Sequence, residues 1–233
     1  MNLIQIKQAY KIYKNGPYKT KALDDINLSI KTGEIVVILG PSGSGKTTLL
    51  NCLSGLDRIS EGSIFYRGKE ISKYSDLRMT KFRKKYLGFI FQNYNSLNNI
   101  NVYHNVQVGA ALAKKKVDIN EIIETVGLTS HKKKSIHELS GGEQQRVSIA
   151  RALAKQPEVM FCDEPTGALD EHTGKKVLKT LIDVNNEFQT TMIIVTHNPG
   201  IALIGDRIIK MNSGRIVENI ENKRKNPLEI PWG

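Results

Sequence analysis

The sequence predicts an α/β fold with a parallel-sheet core, an antiparallel β portion at its N-terminal end and an inserted α-helical segment. Three patterns carry that expectation. Residues 35–39, 159–162 and 192–195 are short runs apolar throughout, each running into polar residues. That suits strands buried on both faces of a doubly wound sheet, with a site at their carboxyl ends. Leu3, Ile4 and Ile6, then Ile26, Leu28 and Ile30, alternate with polar neighbours around Asn15-Gly16-Pro17, which predicts short antiparallel strands. From about residue 93 to 139 the pattern turns helical and basic, with Ile122, Ile123 and Val126 on one stripe.

Length and composition agree with one globular domain. The chain has 233 residues, of which 39% are hydrophobic and 24% charged, enough for a sizeable core and unlike a disordered chain. No apolar run approaches the roughly 18 residues a membrane span needs. The N-terminus lacks the layout of a secretory leader, so the expectation is a protein that stays in the cytosol. Cys52 and Cys162 form no metal-type spacing and read as buried structural thiols. The formal charge of +11 is local: residues 61–140 hold 14 basic and 7 acidic side chains. Arg83-Lys84-Lys85, Lys114-Lys115-Lys116 and Lys132-Lys133-Lys134 could face nucleic acid, anionic lipid or plain solvent, and composition does not choose.

In chain order, the strand at 35–39 stops at Gly40-Pro41-Ser42-Gly43-Ser44-Gly45-Lys46-Thr47, and a helical pattern follows over 47–56. This is the G-x-x-x-x-G-K-[ST] loop in its strand–loop–helix setting. Glycines let backbone N–H groups wrap a phosphate, Lys46 adds positive charge, and the Thr47 hydroxyl can ligate Mg²⁺. A strand over 87–91 runs into Gln92. Leu139-Ser140-Gly141-Gly142-Glu143-Gln144-Gln145-Arg146 opens a helix and makes a second N-terminus with free N–H groups. The strand at 159–162 leads to Asp163 and Glu164, 23 and 24 residues after Ser140, with Glu164 expected on the opposite side of an extended chain that Pro165 ends. The strand at 192–196 leads to His197, and 207–217 reads as a hairpin around Asn212-Ser213-Gly214 followed by a polar tail.

The loop, the LSGGEQQR string and the paired carboxylates, in that order over nearly the whole chain, resemble the ATP-binding cassette (ABC) family. The resemblance implies a P-loop NTPase core of RecA-like type as a single domain over 1–233, with a helical subdomain inserted at approximately 93–139. It implies ATP and Mg²⁺ as ligands, with Gly40 to Thr47 and Thr48 at the phosphates and Thr47, Gln92 and Asp163 at the metal. Glu164 would be the general base, His197 the switch histidine, and Lys46 and Gln92 would also serve catalysis. Tyr13 would stack on adenine, with Tyr10 or Tyr18 as substitutes. Ser140, Gly141, Gly142 and Glu143 would close over the γ-phosphate held by a second subunit, and Asp170 would link the two sites of a head-to-tail homodimer.

Gly167-Ala168-Leu169-Asp170-Glu171-His172-Thr173-Gly174 and Ala22-Leu23-Asp24-Asp25-Ile26-Asn27-Leu28 resemble the branch with macrolide-export (MacB-type), lipoprotein-release and bacitracin-type peptide-resistance ATPases. That branch implies a peripheral ATPase at the cytoplasmic face of the membrane. It would power a MacB-like or FtsX-like permease for efflux or resistance, with anionic lipid as a further partner. The sequence departs from the branch at 95–106, where His104 stands in place of a Glu. The rival is a nucleic-acid-associated ABC ATPase, but those insert a long coiled coil where only 94 residues separate Lys46 from Ser140.

Overall fold

The computed structural model describes residues 1–93 and 95–232. The chain opens with β1 (Asn2–Asn15) and β2 (Tyr18–Lys31), an antiparallel pair. Both strands are 14 residues long, longer than the alternating apolar positions indicate, because their outer halves pair through polar residues that bury little. Then come β3 (Ile35–Leu39), α1 (Lys46–Ser54), β4 (Glu61–Tyr66), β5 (Lys69–Glu70), α2 (Asp76–Tyr86) and β6 (Leu87–Ile90). Helices α3 (Val102–Ala110), α4 (Ile119–Thr125) and α5 (Gly141–Ala154) lead to β7 (Val159–Asp163). The last elements are α6 (Glu171–Phe188), β8 (Thr191–Thr196), α7 (Pro199–Ala202), β9 (Arg207–Asn212) and β10 (Arg215–Glu221).

Two sheets result, a four-stranded antiparallel one ordered β2-β1-β4-β5 and a six-stranded one ordered β10-β9-β3-β8-β7-β6. All pairs from β9 to β6 are parallel, and β10 closes one edge as an antiparallel hairpin partner. The parallel strands divide their side chains between two cores, as the two-residue period requires. Ile35, Val37, Met160, Cys162, Met192 and Ile194 face the helices α3 to α6. Val36, Ile38, Val159, Phe161, Ile193 and Val195 face α1 and the antiparallel sheet. Cys52 and Cys162 are free and buried in these cores, and burial pushes the Cys52 thiol up to about 12 and raises the Cys162 thiol as well.

The helical segment is tied down at two places. Asn105 is fully buried, accepts from Leu97 N at 2.9 Å, and donates to the Leu97, Ile100 and Asn101 carbonyls at 3.1 to 3.2 Å. Helix α3 crosses α5 so closely at Gly109 that an added Cβ would stand 2.0 Å from the Arg151 carbonyl oxygen.

The C-terminal residues, expected as a polar tail, form a strap across the core. Arg224 pairs with both Asp206 carboxylate oxygens at 2.6 and 2.7 Å and donates to Asn185 Oδ1 at 2.7 Å. Asn222 donates to the Leu203 and Gly205 carbonyls, and Ile230 is buried. Two helical glycines seat the end of the strap. A Cβ on Gly200 would meet the Pro231 carbonyl oxygen at 1.8 Å, and one on Gly174 would meet the Trp232 ring at 2.2 Å. Glycine inside a helix costs about 0.5–1 kcal/mol relative to alanine, so both positions trade helix stability for this contact.

Gly109→Ala sets a propensity gain of about 1 kcal/mol against a methyl driven into a backbone carbonyl that no rotamer change can move aside. Overpacking of this kind costs about 1–3 kcal/mol, so the clash wins. Urea unfolding should show a lower midpoint for Gly109→Ala, and a raised midpoint would remove the close α3–α5 crossing.

Candidate active site

The carboxyl ends of β3, β7 and β8 lie side by side, with Leu39 paired to Thr196 and Asp163 to Val195. Each strand therefore delivers the next residues of its chain to one edge of the sheet.

From β3 comes the glycine loop. Gly43 and Gly45 have φ of +76° and +97°, which L side chains rarely adopt. Gly43 has open space where a Cβ would be, whereas a Cβ on Gly40 would meet the Met211 carbonyl oxygen at 2.3 Å. The loop thus presses its back on the hairpin of β9 and β10 and leaves its front open. Helix α1 starts at Lys46, a largely buried residue whose ammonium donates to the Pro41 carbonyl at 2.8 Å. Ser44 Oγ is buried and has no hydrogen-bond partner among the described residues.

From β7 come the two carboxylates. Asp163 Oδ1 accepts from the Thr47 hydroxyl at 3.3 Å, which joins the two strand ends. Burial raises the Asp163 carboxyl above the ordinary carboxylate range, and the Glu164 charge adds to it, while Thr47 and Lys46 act the other way. Glu164 is not extended. Its φ is +46°, its N–H donates to the Val195 carbonyl at 3.0 Å, and its own carbonyl accepts from Gly167 N at 3.0 Å. Glu164 thus makes the last ladder bond of β7, and the chain turns immediately after it, closed by the Gly167 N–H, so the strand ends before Pro165.

From β8 comes His197, whose Nδ1 lies 2.9 Å from Glu164 Oε1. Both side chains line a cavity of about 430 Å³ with Ser42, Gly43, Gly45, Lys46, Thr47 and Thr48. The lining also includes Thr20, Lys21 and Ala22 of β2 and the Ser213-Gly214 turn, none of which the sequence reading places at the phosphate site. That turn is locked to the loop by Gly214 N donating to the Ser44 carbonyl at 3.0 Å.

Tyr13 stands beside this cavity without lining it, 42% exposed, its hydroxyl donating to Asp57 Oδ2 at 2.7 Å. Thr48 hydrogen-bonds the same phenol, and the Lys11 ammonium lies 4.7 Å from its ring centroid. Tyr18 is 77% exposed, and Tyr10 has the Lys21 ammonium 5.8 Å from its ring. Gln92, just beyond β6, borders Gly167, where an added Cβ would lie 2.9 Å from its Nε2 and 3.4 Å from Glu164 Cβ.

The LSGGEQQR residues are elsewhere. Ser140 Oγ accepts from Glu143 N while Glu143 Oε2 accepts from Ser140 N at 2.7 Å, a reciprocal cap on α5. Gly142 packs against the Thr173 methyl, and Ser140, Gly141, Gly142 and Glu143 do not line the glycine-loop cavity. Asp170 caps α6, accepting from Thr173 N at 3.0 Å. The fully buried Gln145, which carries no assigned role in the sequence reading, donates to the Pro165 carbonyl at 2.7 Å and the Phe91 carbonyl at 3.4 Å. It ties the segments that carry Glu164 and Gln92.

The profile of the ABC transporter family matches residues 23–167, more than half of the chain. The chain belongs to the ABC transporter family. This family member is 47% identical over 235 residues to the Mycoplasma genitalium protein MG065, covering 99% of this chain and 50% of that relative. It is 40% identical over 234 residues to the macrolide export ATP-binding/permease protein MacB of Shewanella sp. (strain ANA-3), covering 98% of this chain and 36% of MacB. The chain spans about half the length of the first curated relatives it matches. The dimeric post-hydrolysis structure of the cassette MJ0796 bound to ADP and Pi superposes with a TM-score of 0.84 at 34% identity, over 96% of this chain and all of that one. The fold is that of an ABC ATPase cassette, and among the described residues no helix is long and apolar enough to cross a membrane.

The raised Asp163 carboxyl makes a testable statement about the ligand-free protein. A folded pKa above the unfolded value of about 3.9 means that the folded chain binds more protons, so stability falls as pH rises between the two values and stays lower above them. Asp163→Asn should therefore raise the melting temperature at pH 7 in the absence of nucleotide, with the gain fading below about pH 4. A lower melting temperature at pH 7 would show that the Thr47 contact outweighs burial.

Proposed function

We propose that this chain is the ATP-binding and ATP-hydrolysing part of a bacterial membrane transporter, and that it works as a head-to-tail homodimer. The observation that supports this reading best is the Glu164–His197 pair, which opens into the same cavity as the glycine loop. Glu164 would take the proton of the attacking water, and His197 would hold its carboxylate in place. Lys46 and the N–H groups of the loop and of the α1 N-terminus would bind the phosphates, and Tyr13, linked through Thr48 to the cavity edge, would stack on adenine.

The Thr47–Asp163 pair, one hydroxyl and one carboxylate facing a phosphate loop, fits Mg²⁺, which keeps several waters and takes few protein oxygens. The ion would neutralise phosphate charge. Gln92, which borders Gly167 together with Glu164, would join the metal side of the site. The capped N-terminus of α5 at Ser140 lies outside its own chain's cavity, which fits the reading that it serves the ATP of a second copy. Asp170 would then meet that copy next to it.

We read residues 93–139, with α3 and α4, as the inserted helical subdomain, and the partner as a MacB-like or FtsX-like permease that exports macrolides, antimicrobial peptides or related cargo. A site at the cytoplasmic face of the membrane follows from that partner. The nucleic-acid rival is disfavoured by the segment between Lys46 and Ser140, where the described helices beyond α1 have 7 to 11 residues and form no coiled coil. The basic runs also gather: Lys85 and Lys114 lie 4.9 and 4.7 Å from the Tyr86 ring centroid, so 83–85 and 114–116 make one patch suited to anionic lipid.

Glu164→Gln should retain ATP binding and lose at least about 10²-fold in steady-state turnover, the lower bound for a general base. It should also trap an ATP-bound dimer on size exclusion. Unchanged turnover would remove Glu164 from the base role.

Replacing Lys84, Lys85, Lys114, Lys115 and Lys116 by Gln should weaken binding to phosphatidylserine vesicles by at least about tenfold, at about 1 kcal/mol for each lysine near the surface. Soluble ATPase activity should stay as it was. Arg83 is left in place because it donates to the Gly55 carbonyl at 2.6 Å. Several-fold stimulation by DNA with no vesicle binding would favour the rival.

A further inference from the structure

The strap ends beside the chemistry. Trp232, the only tryptophan in the sequence, lines a small cavity of about 100 Å³ together with Glu164, Leu169, His197 and Ile201. Its ring rests on Gly174, in the N-terminal part of the helix that Asp170 caps. The other side of that helical end is also engaged, since the Thr173 methyl packs on Gly142 of α5. An unbroken packed path thus runs from the LSGGEQQR helix through Thr173 and Gly174 to Trp232 and the wall behind Glu164 and His197.

We propose that Trp232 is a positioning residue, which holds the start of α6 and the His197 segment at a fixed spacing so that the Glu164–His197 pair stays aimed at the glycine-loop cavity. This rests on the ATPase reading above. The anchor is independent of the site itself. Arg224, Asn222 and Ile230 fix the strap to α6 and to the segment between α7 and β9, and Pro231 passes over Gly200 in α7, three residues after His197. Among the described residues of the strap, Trp232 alone lines the chamber beside the pair. Loss of the ring leaves ATP contacts intact and loosens the reacting groups, so the effect falls on kcat and not on KM.

The full chain tests this with a pair of variants. Trp232→Ala should lower kcat by about tenfold, with KM for ATP changed by less than about twofold, because a small misplacement of reacting groups is costly while ground-state binding is untouched. Trp232→Phe should recover most of the loss. Gly174→Ala should mimic Trp232→Ala, since its methyl collides with the ring although alanine is the better helix former. In the double variant the collision partner is gone, so the two losses should not multiply. Wild-type kcat in a folded Trp232→Ala protein, or losses that multiply, would overturn the proposal.

Fluorescence gives a reading that does not need turnover. The emission of Trp232 in Glu164→Gln should change when Mg-ATP saturates the site, and emission indifferent to Mg-ATP would overturn the proposal. If the wild-type chain binds ATP but never hydrolyses it, the ATPase reading fails, and fluorescence alone decides the role of the strap.

Discussion

Parallel pairing of β8 with β3 on one side and β7 on the other is the constraint on which everything else depends. All six β8 residues are buried, and its register sets Leu39 against Thr196 and Asp163 against Val195. One shared edge therefore receives the glycine loop, the carboxylate pair and the histidine from segments more than 30 residues apart. A slip of one residue in β8 would turn Ile193 and Val195 toward the helices and swing His197 away from Glu164. The two cores on either side of the sheet protect that register, since each strand carries apolar side chains to both.

At the end of that pairing Glu164 departs from an extended backbone. Its N–H still makes the ladder bond to the Val195 carbonyl, and the left-handed φ turns the chain directly after it. A non-glycine residue in this region stores strain of about 1–3 kcal/mol, and such residues gather at sites where orientation matters. Here the turn puts the carboxylate against His197 instead of leaving it across the strand from Asp163.

Much of this was legible in the sequence, and the reasons for the gaps are physical. The buried strands announce themselves because double burial removes alternation, and the glycine loop does because its backbone φ values demand glycine. The stretch 61–86 gave no sign: α2 buries only Phe82 and so shows no apolar stripe, and β5 is two residues long. Residues 222–232 looked like a polar tail because their order comes from partners far away in sequence, Arg224 with Asp206 and Asn185. The left-handed Glu164 was hidden because it is neither glycine nor asparagine, the residues that ordinarily mark such a φ. Gln145 stood inside the recognised string, but its role as a brace between Phe91 and Pro165 depends on burial that no spacing reveals. The hairpin turn at Ser213-Gly214 was expected, yet its contact with the glycine loop was not, because no local pattern tells a turn what it will touch.

The position of β3 also sets a timetable for biosynthesis. Both of its neighbours, β8 and β9, come from the last fifth of the chain. While the first 190 residues leave the ribosome, the antiparallel hairpin can pair and the helices can form, but the strand ahead of the glycine loop keeps two open edges. Sheets closed by such distant segments fold slowly and expose apolar strands in the meantime. The nascent chain thus carries the complete glycine-loop sequence about 150 residues before it has the strand pairing that holds the loop in shape.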